Sequence, residues 1–440
     1  MSADTPTRLT ISARHRARHW AYWNGAVWAI GNGLASSTLV IYLALELDAR
    51  CAGLGISLIV AAPRIAGLLR LAAPALIGRL ADRRRFCLGA YLLGSLVLFG
   101  LPLAAAPGRL PSAGASMAAL IALWCLYHLL QYLGTIALWS WLADLAPLEV
   151  RGRFIGRRER WMVGGQAVAM LAGGLFTWGW HQNHPESARW IGYAIPAMVG
   201  VGFLIGSLLP LALMPTAATG QSVRGRATLR EMLAPFDDPR FLRLLAFGCW
   251  FSFFNGVTQA AQYIYPARVL AFSLFAILAF RTMMRVGQLA VSPWVGRVAD
   301  RLGNRPVMMV SLALVASGPL FLFLSTPRQP WWFVGAWIVW IAYAGLNVCL
   351  PNLMLKLSPG DSNTPYIAAY FAVTGLFYAL STIVGGILLD LFHNATFNPL
   401  GNWHLDFYQF SFLFGWITRS LGVLVLLVVI EGPARRTARS

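Results

Sequence analysis

Arginine side chains occur inside segments of this sequence that are otherwise apolar. They are Arg64, Arg70, Arg281, Arg285 and Arg419. Each guanidinium costs about 2.5–3.5 kcal/mol at the centre of a bilayer on insertion scales, so each should face protein or water rather than lipid. A guanidinium held in this way can bind a carboxylate or phosphate through charge-assisted, bidentate hydrogen bonds. These arginines are therefore the first candidates for contact with an anionic solute.

The composition excludes a soluble globular protein. Of 440 residues, 58% are hydrophobic and only 12% are charged. A helix needs about 20 apolar residues to cross about 30 Å of hydrocarbon. Twelve apolar runs meet this length, at residues 20–45, 54–78, 86–106, 117–143, 160–180, 189–213, 241–265, 270–296, 306–325, 331–355, 366–390 and 408–430. We predict an all-α membrane protein with twelve transmembrane helices in two pseudo-symmetric six-helix bundles.

A short motif occurs twice, each time at the end of an apolar run and before a basic loop. Residues 78–83 read GRLADR and residues 296–301 read GRVADR. Asn32 and Asn255 each lie nine residues before an Ile-Tyr pair. Many solute carriers are built from two such helical units in the same orientation, with the substrate path between them. The repeat therefore predicts a duplicated bundle with a central solute site.

The net charge of +19 follows membrane topology rather than a nucleic-acid-binding surface. Arginine clusters precede the first apolar run and occupy alternate loops, whereas the other loops hold mostly single arginines. This positive-inside pattern predicts that both termini are cytoplasmic. We expect a multi-pass protein of the bacterial inner membrane that is a monomer. Its expected partners are the lipid bilayer and a small-molecule substrate, without nucleic acid.

The twelve runs also predict the domain boundaries. A cytoplasmic tail, residues 1–19, precedes the N-terminal six-helix bundle, residues 20–213. A cytoplasmic linker, residues 214–240, is the longest polar segment and leads to the C-terminal bundle. That bundle covers residues 241–430, and residues 431–440 form a second cytoplasmic tail.

The second copy of the repeat resembles a signature of the major facilitator superfamily, Gly-x-x-x-Asp-Arg-x-Gly-x-Arg. The matching positions are Gly296, Asp300, Arg301, Gly303 and Arg305. The first copy has Arg85 in place of the second glycine, so the tight turn of the signature is not expected there. A second family signature, acid-x-x-Pro-x-x-x-Arg-Gly, is similar to residues 144–152. The glycine-proline motif of the family's antiporters is replaced by Ala169-Met170.

The resemblance extends over about the whole chain and implies a secondary carrier whose halves rock to give alternating access. It also implies gating roles for the charged residues of these loops, namely Asp82, Arg83, Asp144, Arg151, Arg153, Asp300, Arg301 and Arg305. In this interpretation Asp82 holds the N-terminus of helix 11 through the helix dipole and pairs with Arg151 or Arg153. The alternative is a solvated carboxylate that only contributes to topology.

The arginines of the apolar runs allow two interpretations. Superposing the halves on the repeat places Arg70, Arg281 and Arg285 within an arc of roughly 60°, at about 100° per residue. Arg64 lies outside this arc, and Arg419 is a weaker candidate because helix 12 is usually peripheral in the family. The arginines either bind an anionic solute or steady one access state through helices 5 and 11; a third possibility is snorkelling near helix ends. The contacts expected in the second case are to Gln166, Thr374 and Tyr378.

Polar side chains in other apolar runs complete the candidate substrate site. Asn255, Gln259 and Gln262 share one helix face at i, i+4, i+7 spacing, which is also compatible with amide bonding between helices. The resemblance implies that helices 1, 4, 7 and 10 line the cavity. Further candidate contacts are therefore Asn32, Trp28, His128, Gln131 and Asn347.

The acidic residues favour a carrier that is not driven by a buried carboxylate. All sixteen Asp and Glu lie in loops or near helix ends, whereas proton-driven carriers often bury one in the membrane. His128 alone titrates near pH 7 at mid-span, and it is also compatible with a neutral histidine bonded to a neighbouring helix. Exchange or facilitated movement of an anion is therefore favoured over proton symport.

Other classes of function find less support in the sequence. The alternative carrier is an efflux protein for amphiphilic or neutral compounds. A membrane enzyme would need a clustered nucleophile, an acid–base pair or a metal set, and a sensor would normally carry an additional soluble domain. No nucleotide-binding loop is present. We therefore predict a transporter without cofactor, metal or catalytic residues.

Overall fold

The computed structural model describes residues 11–47, 51–72, 82–145, 148–215, 233–357, 363–397 and 404–429. The first helices are α1 (Ile11–Leu34), α2 (Ser37–Leu45), α3 (Ala52–Ala66), α4 (Arg83–Val97), α5 (Gly100–Ala105), α6 (Ala113–Leu145), α7 (Leu148–Asn183), α8 (Arg189–Gly206) and α9 (Leu208–Leu213). The later helices are α10 (Pro239–Gly256), α11 (Gln259–Arg268), α12 (Leu274–Leu302), α13 (Asn304–Ala316), α14 (Gly318–Leu324), α15 (Trp332–Val339), α16 (Tyr343–Leu357), α17 (Asn363–Phe392) and α18 (Phe407–Val428).

Short segments connect some of these helices. The 3-10 segments are Gly67–Arg70, Glu186–Ala188, Ala234–Asp237 and Trp340–Ala342. Two strands of two residues each, β1 (Thr396–Phe397) and β2 (Leu405–Asp406), pair antiparallel. They precede α18, whose first turn is held by a capping box between Asp406 and Gln409.

The predicted all-α membrane fold is confirmed. Eleven segments within the described ranges are long and apolar enough to cross a bilayer. The twelfth predicted run, residues 160–180, lies in α7, which has 36 residues and is therefore about 54 Å long. Glycines, tryptophans and Gln166 lower the hydropathy of this run.

Several spans that the sequence predicts as single helices are broken along their length. A serine or threonine stands at four of these breaks, namely Ser36, Ser207, Thr258 and Ser317. At the last three, the hydroxyl donates to the carbonyl three residues earlier, at 2.6, 3.2 and 2.7 Å respectively. Ser36 instead caps α2 by accepting a hydrogen bond from the backbone amide of Leu39. These hydroxyls satisfy backbone groups at the breaks, where lipid offers no partner.

The chain forms two compact units. Unit 1 consists of Met1–Ala49 and Ala72–Ala227, and unit 2 consists of Arg50–Leu71 and Thr228–Ser440. Within unit 1, α1 packs along α7 and α8. Within unit 2, α3 packs along α17, although the repeat assigns α3 to the first half of the chain. The boundaries that the repeat predicts for the two bundles stay a prediction.

The two copies of the repeat end in different turns. Gly303 ends α12 with φ +92°, a conformation that side chains other than glycine rarely adopt. In the first copy Asp82 instead caps α4, and Arg85 lies inside its first turn. The tight turn expected of the signature is therefore found in the second copy, whereas Arg85 needs no left-handed backbone. Residues 78–81 of the first copy lie outside the described residues.

Candidate functional site

The charged residues of the loops make local contacts. The Asp82 carboxylate accepts hydrogen bonds from the backbone amides of Arg84 and Arg85, at 2.9 and 3.0 Å, and pairs with the Arg85 guanidinium at 3.1 Å. Arg305 donates to the Leu427 carbonyl at 2.7 Å, and therefore binds the C-terminal end of α18. Asp300 and Arg301 are exposed.

Other parts of the predicted gate fall outside the described residues. These are residues 358–362, which precede helix 11, and the side chains of Asp144, Arg151 and Arg153. Arg83 begins α4 next to Asp82. The predicted pairing of Asp82 with helix 11 and with the two arginines therefore stays a prediction.

The arginines of α3 and its 3-10 extension face aromatic rings of α17. The Arg64 guanidinium carbon lies 4.9 Å from the centre of the Tyr378 ring, and that of Arg70 lies 5.0 Å from the Phe371 ring. These distances are typical of cation–π contacts. Thr374, the other predicted partner on this helix, donates to the Tyr370 carbonyl at 2.7 Å. On α12, Arg281 is half-buried and Arg285 is exposed.

A second contact between α3 and α17 lies at their opposite ends. The Asp390 carboxylate accepts hydrogen bonds from the backbone amides of Gly53, at 2.7 Å, and Leu54, at 2.8 Å. These are orphan donors of the first turn of α3, so an acidic side chain there satisfies them and complements the helix dipole. From the sequence, Asp390 could be recognised only as a residue near a helix end. A signal for the contact was nevertheless present, because small residues occur four apart at Gly53 and Ser57, and Gly386 lies four residues before Asp390.

The fully buried guanidinium of unit 2 belongs to Arg419, which sequence reasoning ranked lowest. Its exposed fraction is 0%. Nε donates to the Phe254 carbonyl and Nη2 to the Asn255 carbonyl, both at 3.3 Å, and Nη2 also contacts the Thr258 hydroxyl. These groups lie where α10 ends and α11 begins, so the cation stabilises the negative end of a broken helix. Nη1 is buried and lacks a hydrogen-bond partner among the described residues.

The predicted polar stripe forms a hydrogen-bonded chain at the same break. The Gln259 side chain donates to the side-chain oxygens of Asn255, at 3.1 Å, and Gln262, at 3.3 Å. Gln262 donates to the Thr258 hydroxyl at 2.8 Å. The Tyr343 hydroxyl, on α16, bonds to Asn255. We call Arg64, Asn255, Tyr343, Tyr378 and Arg419 the unit 2 cluster, because Tyr343 and Tyr378 each interact electrostatically with both arginines. Asn347, also on α16, is exposed.

In unit 1, α1, α6 and α7 meet at Asn32. The Gln166 amide donates to Asn32 Oδ1 at 3.0 Å, and the Tyr127 hydroxyl also bonds to Asn32. Gln166, which one interpretation assigned as a partner of the membrane arginines, therefore bonds to helix 1. This contact is an amide hydrogen bond between α1 and α7.

Three predicted contacts of unit 1 have buried polar atoms that lack hydrogen-bond partners within the described ranges. These atoms are Trp28 Nε1, His128 Nε2 and both side-chain polar atoms of Gln131. The His128 ring is packed edge-on against Trp124 and Tyr127, with centroids 4.5 and 4.9 Å apart. Buried polar atoms normally have a partner. These side chains therefore remain candidates for contact with water or a solute, as the sequence predicts.

Arg158 is a buried cation that sequence reasoning assigned to a loop. It lies in α7 and donates to the Met162 sulfur at 3.1 Å and to Asn24 Oδ1 at 3.4 Å. Asn24 in turn donates to the Ser207 carbonyl at 2.9 Å. Arg158 could not be distinguished from the neighbouring arginines, because spacing alone does not show which side chain of a basic segment is buried. Over the part of the chain that the structure describes, no group of three metal-ligating side chains is found.

Comparisons with known proteins agree with this architecture. The sequence profile of the Major Facilitator Superfamily matches residues 270–440. No curated protein sequence matches the chain. A D-xylose–proton symporter has the same fold with a TM-score of 0.71 and 15% identity over 95% of this chain and 98% of its own.

Two further solved structures show the same similarity. A mutant of the nucleoside transporter NupG has a TM-score of 0.70 at 15% identity, over 94% of this chain and 100% of its own. A bacterial homolog of the human lysosomal transporter Spinster has a TM-score of 0.64 at 14% identity, over 96% of each chain. These proteins are transporters rather than enzymes. The family profile therefore covers the C-terminal part of the chain, and the chain as a whole has the fold of these transporters.

Proposed function

We propose that this protein is a secondary carrier that moves a small organic anion by alternating access. The observation that supports an anion is the unit 2 cluster, which contains two guanidiniums inside the spans. The described carboxylates of unit 2, by contrast, all stand at helix ends, at Asp237, Asp238, Asp300, Asp390 and Asp406. A positively charged polar cluster in a low-dielectric medium favours a ligand of opposite charge.

Within this cluster the two arginines have different roles. Arg64 is exposed and stacks on the Tyr378 ring, so its N–H groups can reach a carboxylate or phosphate. Arg419 is fully buried, and we propose that it acts as a positioning residue by holding the carbonyls of Phe254 and Asn255. The hydroxyl of Tyr343 and the amides of the α11 stripe would then orient the solute beside Arg64.

The remaining predicted contacts belong to the same proposal. Arg70, Arg281 and Arg285 add positive charge to α3 and α12 and are candidates for guiding the anion. In unit 1, Trp28, His128 and Gln131 offer polar atoms without partners in the described ranges. We also propose that the protein is a monomer of the bacterial inner membrane with cytoplasmic termini and no nucleic-acid partner, as its arginine distribution favours.

The contact between α3 and α17 supports a gate for alternating access. Asp390 binds the first turn of α3, and Arg64 and Arg70 stack on rings of α17. We propose that these contacts hold one access state and separate in the other. The positive-inside pattern assigns the Asp390 end to the outer side of the membrane.

A neutral polar solute is the second candidate. The amide chain of Asn255, Gln259 and Gln262 suits hydroxyl groups as well as anions, and the similar structures include a nucleoside transporter and a xylose symporter. At 14–15% identity these similarities support the fold only. The charge of the unit 2 cluster is the observation that supports the anion as the first candidate.

Transport into proteoliposomes tests the proposal. We would measure uptake of labelled mono- and dicarboxylates, phosphate esters, pentoses and nucleosides by the wild-type protein, and then compare Arg64→Ala with Arg328→Ala. Arg328 is an exposed loop arginine and serves as the matched control. Loss of a charge-assisted hydrogen bond should raise the KM for the anion about 10- to 100-fold in Arg64→Ala and leave the control unchanged. Preferential uptake of the neutral solutes, with an unchanged KM in Arg64→Ala, would contradict anion transport.

A further inference from the structure

A cavity in unit 1 combines basic and aromatic side chains away from every proposed solute contact. It lies between α1 and α7 and has a volume of about 430 Å³. Its basic lining residues are His15, Arg18, His19 and Arg157. Among the described residues, no acidic side chain lines it. The cavity is therefore suited to a ligand that carries negative charge.

The aromatic side chains of this cavity form its apolar part. The Arg157 guanidinium carbon lies 5.7 Å from the centre of the Tyr22 ring. The Trp23 indole donates to His19 Nε2 at 3.1 Å. Trp23 and Trp161 are 53% and 56% exposed, one on each helix. Exposed indoles beside cations are typical of the level where lipid headgroups meet the hydrocarbon.

The position of the cavity along α1 and α7 agrees with the level of the lipid headgroups. The first membrane span begins at His15, so the cavity lies at the end of that span. Arginines are concentrated at the same end of α1 and α7, which the positive-inside pattern assigns to the cytoplasmic leaflet. Anionic lipids and basic pockets between helices meet on that side of membrane proteins. A free phosphate ion would match the cations but would leave both indoles without a function.

We propose that this cavity binds the phosphate headgroup of an anionic phospholipid of the phosphatidylglycerol type. Arg18 and Arg157 bind the phosphate, the histidines donate to its oxygens or to the glycerol, and Trp23 and Trp161 contact the upper part of the acyl chains. Arginines and tryptophans that only set topology and anchor helices at the interface would be scattered and would not line a common cavity. Here cations and rings from two helices line one cavity, and the bound lipid would hold α1 and α7 together.

Native mass spectrometry of the full chain in detergent tests the proposal directly. Phosphatidylglycerol and phosphatidylcholine with the same acyl chains would be titrated against the wild-type protein. We expect at least one phosphatidylglycerol to bind about tenfold more tightly than phosphatidylcholine, because two or more arginines or histidines contact the headgroup. Equal retention of the two lipids would overturn the proposal and needs no variant.

Paired variants locate the site. Arg157→Ala should weaken phosphatidylglycerol binding about fivefold, and the double variant R18A/R157A should weaken it further. Arg160→Ala is the matched control, because Arg160 is an exposed arginine of the same helix that does not line the cavity. Equal affinities in Arg157→Ala and Arg160→Ala would place the lipid elsewhere and contradict the site.

A third measurement distinguishes a lipid headgroup from a soluble phosphate. Thermal stability would be recorded with inorganic phosphate, glycerol 3-phosphate and phosphatidylglycerol at equal concentrations. Stabilisation by the lipid alone supports the proposal, whereas equal stabilisation by inorganic phosphate would overturn it in favour of a soluble anion. Because none of these measurements involves transport, their failure is independent of the proposed carrier function.

Discussion

The carboxylate of Asp390, near the end of α17, accepts a hydrogen bond of 2.7 Å from the backbone amide of Gly53, in the first turn of α3. A Cβ atom at Gly53 would lie 2.5 Å from the Gly386 carbonyl oxygen and 2.7 Å from Asp390 Oδ1. The backbones of α3 and α17 are therefore in direct contact at this point. The glycines allow the close approach, and the Asp390 carboxylate stabilises it. In the gate proposed above, this contact would be made in one access state and broken in the other.

We expect Asp390→Asn to shift the carrier away from the state in which α3 and α17 are in contact. The amide accepts weaker hydrogen bonds than the carboxylate and no longer complements the helix dipole, so the contact should lose about 1.5–3 kcal/mol. Maleimide labelling of a single cysteine at Ser57, in a background in which the native cysteines are replaced, would report access to this contact. Labelling should become at least about tenfold faster in Asp390→Asn.

Asp406→Asn is the control for this measurement. Asp406 also caps a helix, but it caps its own helix α18 by accepting from the Gln409 amide. Its removal should weaken α18 without altering labelling at residue 57. Equal labelling rates in wild type and Asp390→Asn would show that this contact does not hold an access state.

Substitution of Gly53 by alanine should destabilise the protein through overpacking. The added methyl group would enter the Gly386 backbone rather than a flexible side chain, and such crowding costs about 1–3 kcal/mol. Gly67→Ala is the matched control on the 3-10 extension of the same helix, because its Cβ would meet nothing within 4 Å. Thermal unfolding in detergent should give a lower Tm for Gly53→Ala only. Equal Tm values for the two variants would mean that α3 can move away from α17 without loss.

Sequence patterns predicted the fold class because hydropathy and arginine distribution act over whole segments. Twenty apolar residues mark a span regardless of its neighbours, and the repeat at residues 296–301 marks the duplication. Side-chain environments depend instead on which helices surround a residue. Arg419 was underestimated for this reason, since its burial is set by the break between α10 and α11 and not by its own segment.

The positions of the helix breaks could not be predicted from the sequence either. Ser207 and Ser317 are compatible with a continuous apolar helix, because a serine hydroxyl can bond to its own backbone in either case. Arg64 and Arg70 could be recognised from the sequence as cations within an apolar run, but their stacking on Tyr378 and Phe371 depends on the packing of α3 against α17. The resemblance to a transporter family supplied the helix order, whereas contacts between helices came from the structure.

Replacing Arg419 by methionine should lower both stability and solute affinity. The carbonyls of Phe254 and Asn255 would lose their donors at a buried break, at a cost of about 1–3 kcal/mol for each group left unpaired. Arg419→Lys should recover part of the affinity, because it restores the charge but not the two-nitrogen geometry. Tm and the KM for the transported anion would be measured together, with Arg328→Met as the control.

The two readouts separate positioning from packing. If Arg419 positions the unit 2 cluster, the KM should recover in Arg419→Lys more than the Tm does. A Tm that falls while the KM stays at the wild-type value would assign Arg419 to stability alone.

Glu46, just beyond the first span, should give the protein a pH-dependent stability. Partial burial of the carboxyl group raises the pKa of Glu46, although the residue is exposed and His181, Arg189 and the hydrogen bond from Tyr193 oppose the shift. A carboxyl group whose pKa is higher in the folded state stabilises folding fully below its ordinary pKa of about 4.3, and this contribution is lost as the pH rises through the raised value. Glu46→Gln removes the titrating group. The variant should therefore unfold at a slightly higher temperature than wild type at pH 7.5 and at the same temperature near pH 4.

Glu186→Gln is the control for Glu46, because Glu186 is an exposed glutamate paired with Arg189 at 2.9 Å. Losing an exposed ion pair changes stability by about 0–1 kcal/mol and should not raise the Tm at pH 7.5. Thermal unfolding of the three proteins in detergent, followed in steps from pH 4 to pH 8, distinguishes the two glutamates. A Tm difference between Glu46→Gln and wild type that stays constant over this range would contradict the raised pKa, because a group whose pKa differs between the folded and unfolded protein makes the difference depend on pH.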